Sequence, residues 1–105
     1  MIYNDRFYKL EMLILSILQS GDNSSSQIKQ KIAEKSHDYF QIKTGVLLAS
    51  LYYMKNAQLI SEYQQDDDFI FHIESAGYVR LETLQRQYTA IKHHLDLILK
   101  ETHYE

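Results

Sequence analysis

The chain has 105 residues, which is enough for a single domain with a modest core. It contains no cysteine, so no disulfide can stabilise it, and we expect the reducing cytoplasm as its compartment. The formal net charge is −3, but the charges are segregated along the chain. Residues 24–58 carry five lysines and two carboxylates, whereas residues 59–77 carry five carboxylates and no lysine or arginine.

The N-terminal region predicts a first helix that ends before Ser20. Its apolar residues recur at spacings of four and three: Tyr3, Phe7, Leu10, Ile14 and Ile17. Residues 12–15 are apolar all round, so we expect this section to be enclosed on several sides. The apolar stretch is too short to cross a membrane and lacks a cleavage site, which argues against a signal peptide or a membrane partner.

Two further helices follow. Serines at positions 24–26 cap a short second helix, in which Ile28 and Ile32 share a face. Thr44 offers a capping hydroxyl to a third helix, whose apolar face holds Leu47, Leu51 and Met54. We expect the aromatic and aliphatic residues of the connector to pack on the core: Tyr39, Phe40 and Ile42.

A β-hairpin is predicted next. "LISEY" and "FIFHI" flank "QQDDD", and we expect a loop longer than two residues that directs Asp66, Asp67 and Asp68 outwards. The aromatic residues near it and in the third helix should pack mostly in the core or at the base of the hairpin: Tyr39, Phe40, Tyr52, Tyr53, Tyr63, Phe69 and Phe71. A minor alternative is that some of them line a ligand cavity.

A long final helix is expected from about Ser75. Its apolar residues form a heptad seam: Leu81, Leu84, Tyr88, Ile91, Leu95 and Ile98. A helix of about 28 residues would be ~42 Å long, more than a domain of this size covers, so a second copy of the chain is the expected partner. The alternative is that the seam packs only on the chain's own first helix.

The order of elements is that of a winged helix-turn-helix, mostly α with a small β-hairpin, plus a long C-terminal dimerisation helix. "LEMLILSILQSGDN", "TGVLLASLYYMKNAQLIS" and "HIESAGYVRLETL" resemble the corresponding segments of the PadR-like transcriptional regulators. The resemblance covers roughly residues 9–100. It implies a winged helix-turn-helix unit in residues 1–74 and a dimerisation helix in residues 75–105, together in one structural domain.

The resemblance also implies which residues face DNA. The groove-facing positions of the third helix would be Val46, Leu48, Ala49, Tyr52 and Tyr53. The family usually has basic residues at the last two and a basic wing, whereas this chain has tyrosines there and "DDD" in the wing. Because most DNA affinity comes from lysine and arginine at phosphates, docking in the usual pose is penalised.

Other residues favour contact with nucleic acid. Hydroxyl groups, free helical N–H groups and lysines occur around the starts of the second and third helices: Ser25, Ser26, Lys29, Lys31, Lys35, Lys43, Thr44 and Gly45. The alternative is that these lysines form an ordinary solvated face. The acidic tip likewise has two interpretations: an ordinary surface turn, or a surface that repels DNA or docks on a basic protein.

Enzymatic activity is not expected. The chain has no glycine-rich phosphate loop, no cysteine nucleophile and no histidine–aspartate pattern around a serine, so we predict no catalytic residue, cofactor or metal site. The leading hypothesis is a homodimeric PadR-like regulator with weak or atypical DNA contact. The alternative is a winged-helix protein-interaction module, of antirepressor or DNA-mimic type, that has lost operator binding.

Overall fold

A computed structural model describes the backbone of residues 9–104 and the side chains of residues 9–100. This part of the chain forms four helices and a three-stranded antiparallel sheet of order β1-β3-β2. In chain order the elements are α1 (Leu10–Gln19), β1 (Asn23–Ser24), α2 (Ser25–Lys35), α3 (Thr44–Asn56), β2 (Ile60–Gln65), β3 (Asp68–Ile73) and α4 (Ser75–Tyr104). The predicted order of three helices, a hairpin and a long helix is confirmed.

Helix α1 lies at the centre of the core. Ile14 and Leu15 have no exposed surface, and Met12 and Leu13 are partly buried. The helix contacts α2, α3, β3 and α4, which explains why its middle is apolar on every side. The predicted enclosure is therefore confirmed, whereas Tyr3 and Phe7 of the predicted stripe lie outside the described residues.

Helix α2 begins with a capping box. The backbone N–H of Gln27 donates to Ser24 Oγ at 3.2 Å, and the N–H of Ser24 donates to Gln27 Oε1 at 2.9 Å. Ser24 also lies in β1, which pairs with β3 through Asn23 opposite Phe71 and Ser24 opposite Ile70. Sequence reasoning missed this strand because two residues are too few to show a period of two.

Two expectations for the connector and α3 were wrong. Phe40 and Ile42 pack against the core as predicted, but Tyr39 is 81% exposed. Thr44 is the first residue of α3 and not its cap, because Lys43 holds the N-cap position without a side-chain bond. The Thr44 hydroxyl instead accepts a hydrogen bond from Lys29 Nζ at 2.9 Å.

The hairpin turn is tighter than predicted. Gln65 pairs with Asp68, so the turn contains only Asp66 and Asp67, whose φ values are 52° and 67°. A two-residue turn with positive φ at both positions matches the right-handed twist of the strands, and aspartate tolerates this conformation better than most residues. Asp66 and Asp67 therefore form the turn itself.

The aromatic residues near the hairpin divide between core and surface. Phe71 is buried and Phe40 is partly buried, as expected. Tyr63 and Phe69 are exposed, and so are the other tyrosines of the set: Tyr39, Tyr52 and Tyr53. The prediction that most of these aromatic residues pack in the core or at the base of the hairpin is therefore wrong. Burial falls along both strands towards the turn, so Tyr63 and Phe69 lie on the exposed outer half of the hairpin.

Helix α4 passes from the core into solvent. Leu81 and Leu84 are buried in the core that contains α1, and Arg80 Nη2 binds Glu11 Oε1 of α1 at 2.9 Å. The later seam residues are exposed: Tyr88, Ile91, Leu95 and Ile98. The described chain measures 58 × 27 × 25 Å. Within that described part, no helix has the length and hydropathy that crossing a bilayer requires.

Gly77 is fixed by close packing between the start of α4 and the residue before β2. A Cβ at this position would overlap the carbonyl oxygen of Leu59 and lie 2.7 Å from Ile73 Cγ1. Backbone and a buried side chain have little room to move, so any larger residue forces α4 away from the sheet.

Gly77→Ala is therefore expected to lower stability by about 2 kcal/mol, which for a chain of this size lowers Tm by about 10 °C. The measurement is thermal unfolding followed by circular dichroism. Gly45→Ala is the matched control, since a Cβ there meets no atom within 4 Å. Equal melting temperatures for the two variants would contradict this account of Gly77.

A polar cluster connects the hairpin to the turn after α1. Asp22 Oδ1 lies 2.9 Å from His72 Nδ1 of β3, and Tyr63 of β2 donates its hydroxyl to Asp22 Oδ2 at 2.9 Å. The hydrogen bond to Asp22 raises the pKa of His72, and the same bond lowers the pKa of Asp22. Glu74 adds a weaker electrostatic contribution to the raised pKa of His72.

The Asp22–His72 pair should stabilise the fold mainly between pH 3.8 and pH 6.5, the ordinary pKa values of the two side chains. The contribution of His72 is complete below pH 6.5 and is lost as pH rises through its raised pKa. The contribution of Asp22 is complete above pH 3.8 and is lost as pH falls through its lowered pKa.

Asp22→Asn should move the pKa of His72 down towards its ordinary value, as measured by NMR titration of the ring protons. Glu74→Gln should cause a smaller decrease, and an unchanged His72 titration in Asp22→Asn would refute the pairing.

Candidate nucleic-acid interface

The outer face of α3 is uncharged. Helical residues advance by about 100° each, so the side opposite the buried Leu47, Leu51 and Met54 is centred on four exposed residues. These are Gly45, Ala49, Tyr52 and Asn56. Tyr52, at 54% exposed, is the largest side chain among them. The centre of this face therefore offers aromatic and small groups, and no cation for a phosphate.

The other groove-facing residues implied by the resemblance lie on the flanks of this face. Val46 and Tyr53 are exposed on one flank. Leu48 lies on the other and is partly buried, with its side chain packed against the core. Tyr53 is close enough to Arg80 of α4 to influence its pKa. Leu48 is consequently less accessible to a partner than the resemblance implied.

A cleft lies between α2 and the start of α3. Its volume is about 420 Å³. The lining residues are Ser25, Ser26, Lys29, Gln30, Ala33, Gln41, Thr44 and Leu47. The first helical hydrogen bond of α3 runs from the N–H of Leu47 to the carbonyl of Lys43 at 3.0 Å, so the N–H groups of residues 44–46 precede it. Hydroxyl groups, a lysine and helical N–H groups thus meet beside this cleft.

The structure does not bring all the predicted lysines together. Lys29 lines the cleft, and Lys43 is exposed at the N-cap of α3. Lys31 is exposed about 200° around α2 from Lys29, on the other flank of the helix. Lys35 lines a different groove, on the α1 side of α2, with Leu13 and Phe40. The predicted basic site is therefore reduced to Lys29 and Lys43 near the cleft.

The wing consists of β2, the turn and β3, and its side of the interface is acidic. Asp66, Asp67 and Asp68 are all exposed. Lys55 is the only charged residue in the sequence of α3, and its Nζ donates to Glu62 Oε1 of β2 at 2.6 Å. This hydrogen bond raises the pKa of Lys55. The single cation of α3 is therefore neutralised by the wing, a pairing that sequence spacing does not reveal.

The described residues contain no metal-binding arrangement. Within that portion of the chain, no group of three histidine, aspartate or glutamate side chains is close enough to hold an ion. The adjacent His93 and His94 stack edge to face with ring centroids 5.3 Å apart. The Asp22 cluster joins one carboxylate to one imidazole and one phenol, which suits hydrogen bonding within the fold.

Comparisons with known proteins were made for sequence and for structure. No family model matches the chain. A curated relative, "Uncharacterized protein X" of Lysinibacillus sphaericus, is 25% identical over 96 residues, which is 87% of this chain and 88% of that protein.

Solved structures match the fold over most of the chain. A transcriptional regulator from Clostridium thermocellum has a TM-score of 0.79 at 19% identity, covering 83% of this chain and 89% of that one. A PadR family transcription regulator from Clostridium difficile has a TM-score of 0.77 at 23% identity, with coverages of 86% and 97%. Bacillus subtilis PadR, solved in complex with operator DNA, has a TM-score of 0.63 at 16% identity, covering 70% of this chain and 45% of that one.

The predicted fold class is thus confirmed by geometry and by comparison. The described part of the chain has three helices, a three-stranded sheet with an acidic wing, and a long final helix, and this fold matches the two Clostridium regulators over more than 80% of the chain. The chain therefore has a winged-helix fold that is similar to the fold of a PadR family transcription regulator.

Proposed function

We propose that the protein is a PadR-like transcriptional regulator that acts as a homodimer and contacts DNA in an atypical way. The observation that carries this proposal is the cleft in which Lys29, Ser25, Ser26 and Thr44 meet beside the starts of α2 and α3. The likeness to Bacillus subtilis PadR, which was solved with operator DNA, supports DNA as the partner. The same comparisons are with regulators and not enzymes, and no residue is assigned a catalytic role.

The proposed DNA contact is centred on the α2–α3 cleft. Helix starts place N–H groups and positive dipole ends towards a phosphate, and Lys29 and Lys43 add charge there. Val46, Ala49, Tyr52 and Tyr53 would then meet the groove by apolar and hydroxyl contacts. The acidic turn repels phosphates that come within the Debye length, which is about 8 Å at physiological salt. The affinity for DNA should therefore be low and should depend on the residues of the cleft.

The proposed dimer is formed by the outer part of α4. The seam is one apolar stripe, yet Leu81 is 2% exposed and Leu95 is 37% exposed. Helix α4 has 30 residues and is therefore about 45 Å long, whereas α1 has 10 residues and spans about 15 Å. A second copy that covers Tyr88, Ile91 and Leu95 would remove this apolar surface from water. Residues 1–74 would then serve as the DNA-contacting unit and residues 75–105 as the dimerisation helix.

A second candidate function is a protein-interaction module that has lost operator binding. The uncharged outer face of α3 and the acidic turn at Asp66–Asp68 favour it, because neither attracts a phosphate backbone. Such a module would retain the dimer and lose the salt-dependent attraction to DNA. The two candidates therefore differ in a measurable property, the affinity for duplex DNA and its dependence on salt.

The DNA prediction concerns the cleft lysines. The Lys29→Ala/Lys43→Ala variant should bind the DNA upstream of its own gene more weakly than wild type. The negative slope of log affinity against log salt concentration should become less steep by about two units, one for each lost phosphate contact. Binding is measured by fluorescence anisotropy between about 50 mM and about 200 mM salt.

The control is Lys35→Ala/Lys100→Ala, which removes the same charge from exposed positions away from the cleft. This variant should keep most of the affinity and the slope. An equal loss in both variants would show that net charge alone acts, and an absence of binding by wild type at low salt would favour the interaction module.

The dimer prediction concerns the exposed seam. Wild type should have a mass near twice 12.5 kDa by size-exclusion chromatography with light scattering. Tyr88→Glu/Leu95→Glu should be monomeric, because two carboxylates would be placed in an apolar interface. Thr89→Glu/His93→Glu is the control, since these residues lie on another face of α4 and should leave the dimer intact. A monomeric wild type would overturn the proposed role of α4.

A further inference from the structure

The surface between α3 and the wing has its own chemistry. Along β2 and β3, directly opposite residues share a face of the sheet, so Ile60, Glu62 and Gln64 lie on the side of Ile73, Phe71 and Phe69. Ile60, Phe71 and Ile73 are buried, which identifies this side as the one that faces the helices. Phe69, two residues beyond Phe71 towards the turn, is 54% exposed on the same side.

Side chains connect this part of the wing to α3. Lys55 reaches Glu62, and Glu62 lies opposite Phe71 and diagonally from Phe69. Tyr52 is one helical turn before Lys55 and is close enough to influence its pKa. We name the α3–wing surface by these residues together with the tip of the wing: Tyr52, Lys55, Glu62, Phe69, Asp66, Asp67 and Asp68. Asp66 and Asp67 form the turn, and Asp68 begins β3 at the tip, on the other side of the sheet from Phe69.

The charge of this surface is strongly negative. It contains four carboxylates and one ammonium group, and the ammonium group is already paired with Glu62. Tyr52 and Phe69 add two exposed aromatic rings. A phosphate backbone is repelled by such a surface, whereas lysine and arginine complement it in two ways: their charges attract the carboxylates, and their cationic heads lie favourably over aromatic faces.

We propose that the α3–wing surface binds a lysine- and arginine-rich segment of another protein. This inference goes beyond the proposed regulator and does not require the α2–α3 cleft to bind DNA. The occupant follows from charge complementarity, because the surface offers carboxylates and aromatic rings and keeps no unpaired cation of its own. A co-regulator with a basic DNA-binding segment fits this chemistry.

The experiment uses a fluorescein-labelled oligolysine peptide and the full-length protein, with anisotropy as the readout. Wild type should bind oligolysine and not a labelled oligoglutamate peptide. Asp66→Asn/Asp67→Asn/Asp68→Asn should weaken binding about tenfold, since three exposed ion pairs are lost. Asparagine tolerates positive φ, so the turn is retained, and circular dichroism should confirm the fold. Phe69→Ala should weaken binding about threefold through loss of the cation–π contact.

The matched control is Glu34→Gln/Glu82→Gln/Asp96→Asn, which neutralises three carboxylates elsewhere on the protein. This control should bind oligolysine within about twofold of wild type. Equal weakening in both triple variants, or no binding by wild type, would overturn the proposal. Weaker binding of duplex DNA by Phe69→Ala would also overturn the proposal. So would a changed oligomeric mass in Asp66→Asn/Asp67→Asn/Asp68→Asn, because it would identify a second copy of the chain as the occupant of the surface. The Lys29→Ala/Lys43→Ala measurement on DNA is independent of every one of these outcomes.

Discussion

Every other part of the described fold depends on the burial of α1. Its middle residues, Ile14 and Leu15, are fully enclosed, and α2, α3, β3 and α4 each contact the same short helix. Because the interior is close-packed, displacement of α1 would be transmitted to all four elements. This arrangement fixes the distance between α2 and α3, and so the cleft at Lys29 and Thr44. It also fixes the start of α4, through Arg80 and Glu11.

Around this core, the α2–α3 cleft and the tip of the wing carry charges of opposite sign. Lys29 lines the α2–α3 cleft and Lys43 lies near it, whereas Glu62 and the three aspartates at positions 66–68 lie on the wing. The only charged residue of α3, Lys55, is paired with Glu62. The resemblance to PadR-like regulators implies that the third helix and the wing both face one DNA ligand. In this protein the charges of the α2–α3 cleft and of the wing have opposite signs. This favours two partners of different charge, with phosphates at the cleft and cations at the wing.

Helix α4 shows how one sequence pattern serves two environments. The heptad seam is continuous from Leu81 to Ile98, but only its first two members reach the body of the protein. Leu81 and Leu84 pack in the core with α1, as the single-chain interpretation of the seam predicted, whereas the outer residues are exposed in a single chain, and their pairing with a second copy stays a prediction. The length of the helix relative to α1 is the physical reason for this division.

The sequence alone determined the four helices and the hairpin of this protein but not β1, because apolar spacing, serine caps and the lack of proline act over a few residues. It identified the buried faces of α1, α2 and α3 and the long α4 correctly. It did not determine the two-residue turn, where the tolerance of aspartate for positive φ decided the length. Nor did it reveal the Lys29–Thr44, Lys55–Glu62 and Asp22–His72 contacts, or the separation of Lys31 from the cleft. Those depend on how distant segments are oriented around α1, which only tertiary packing decides.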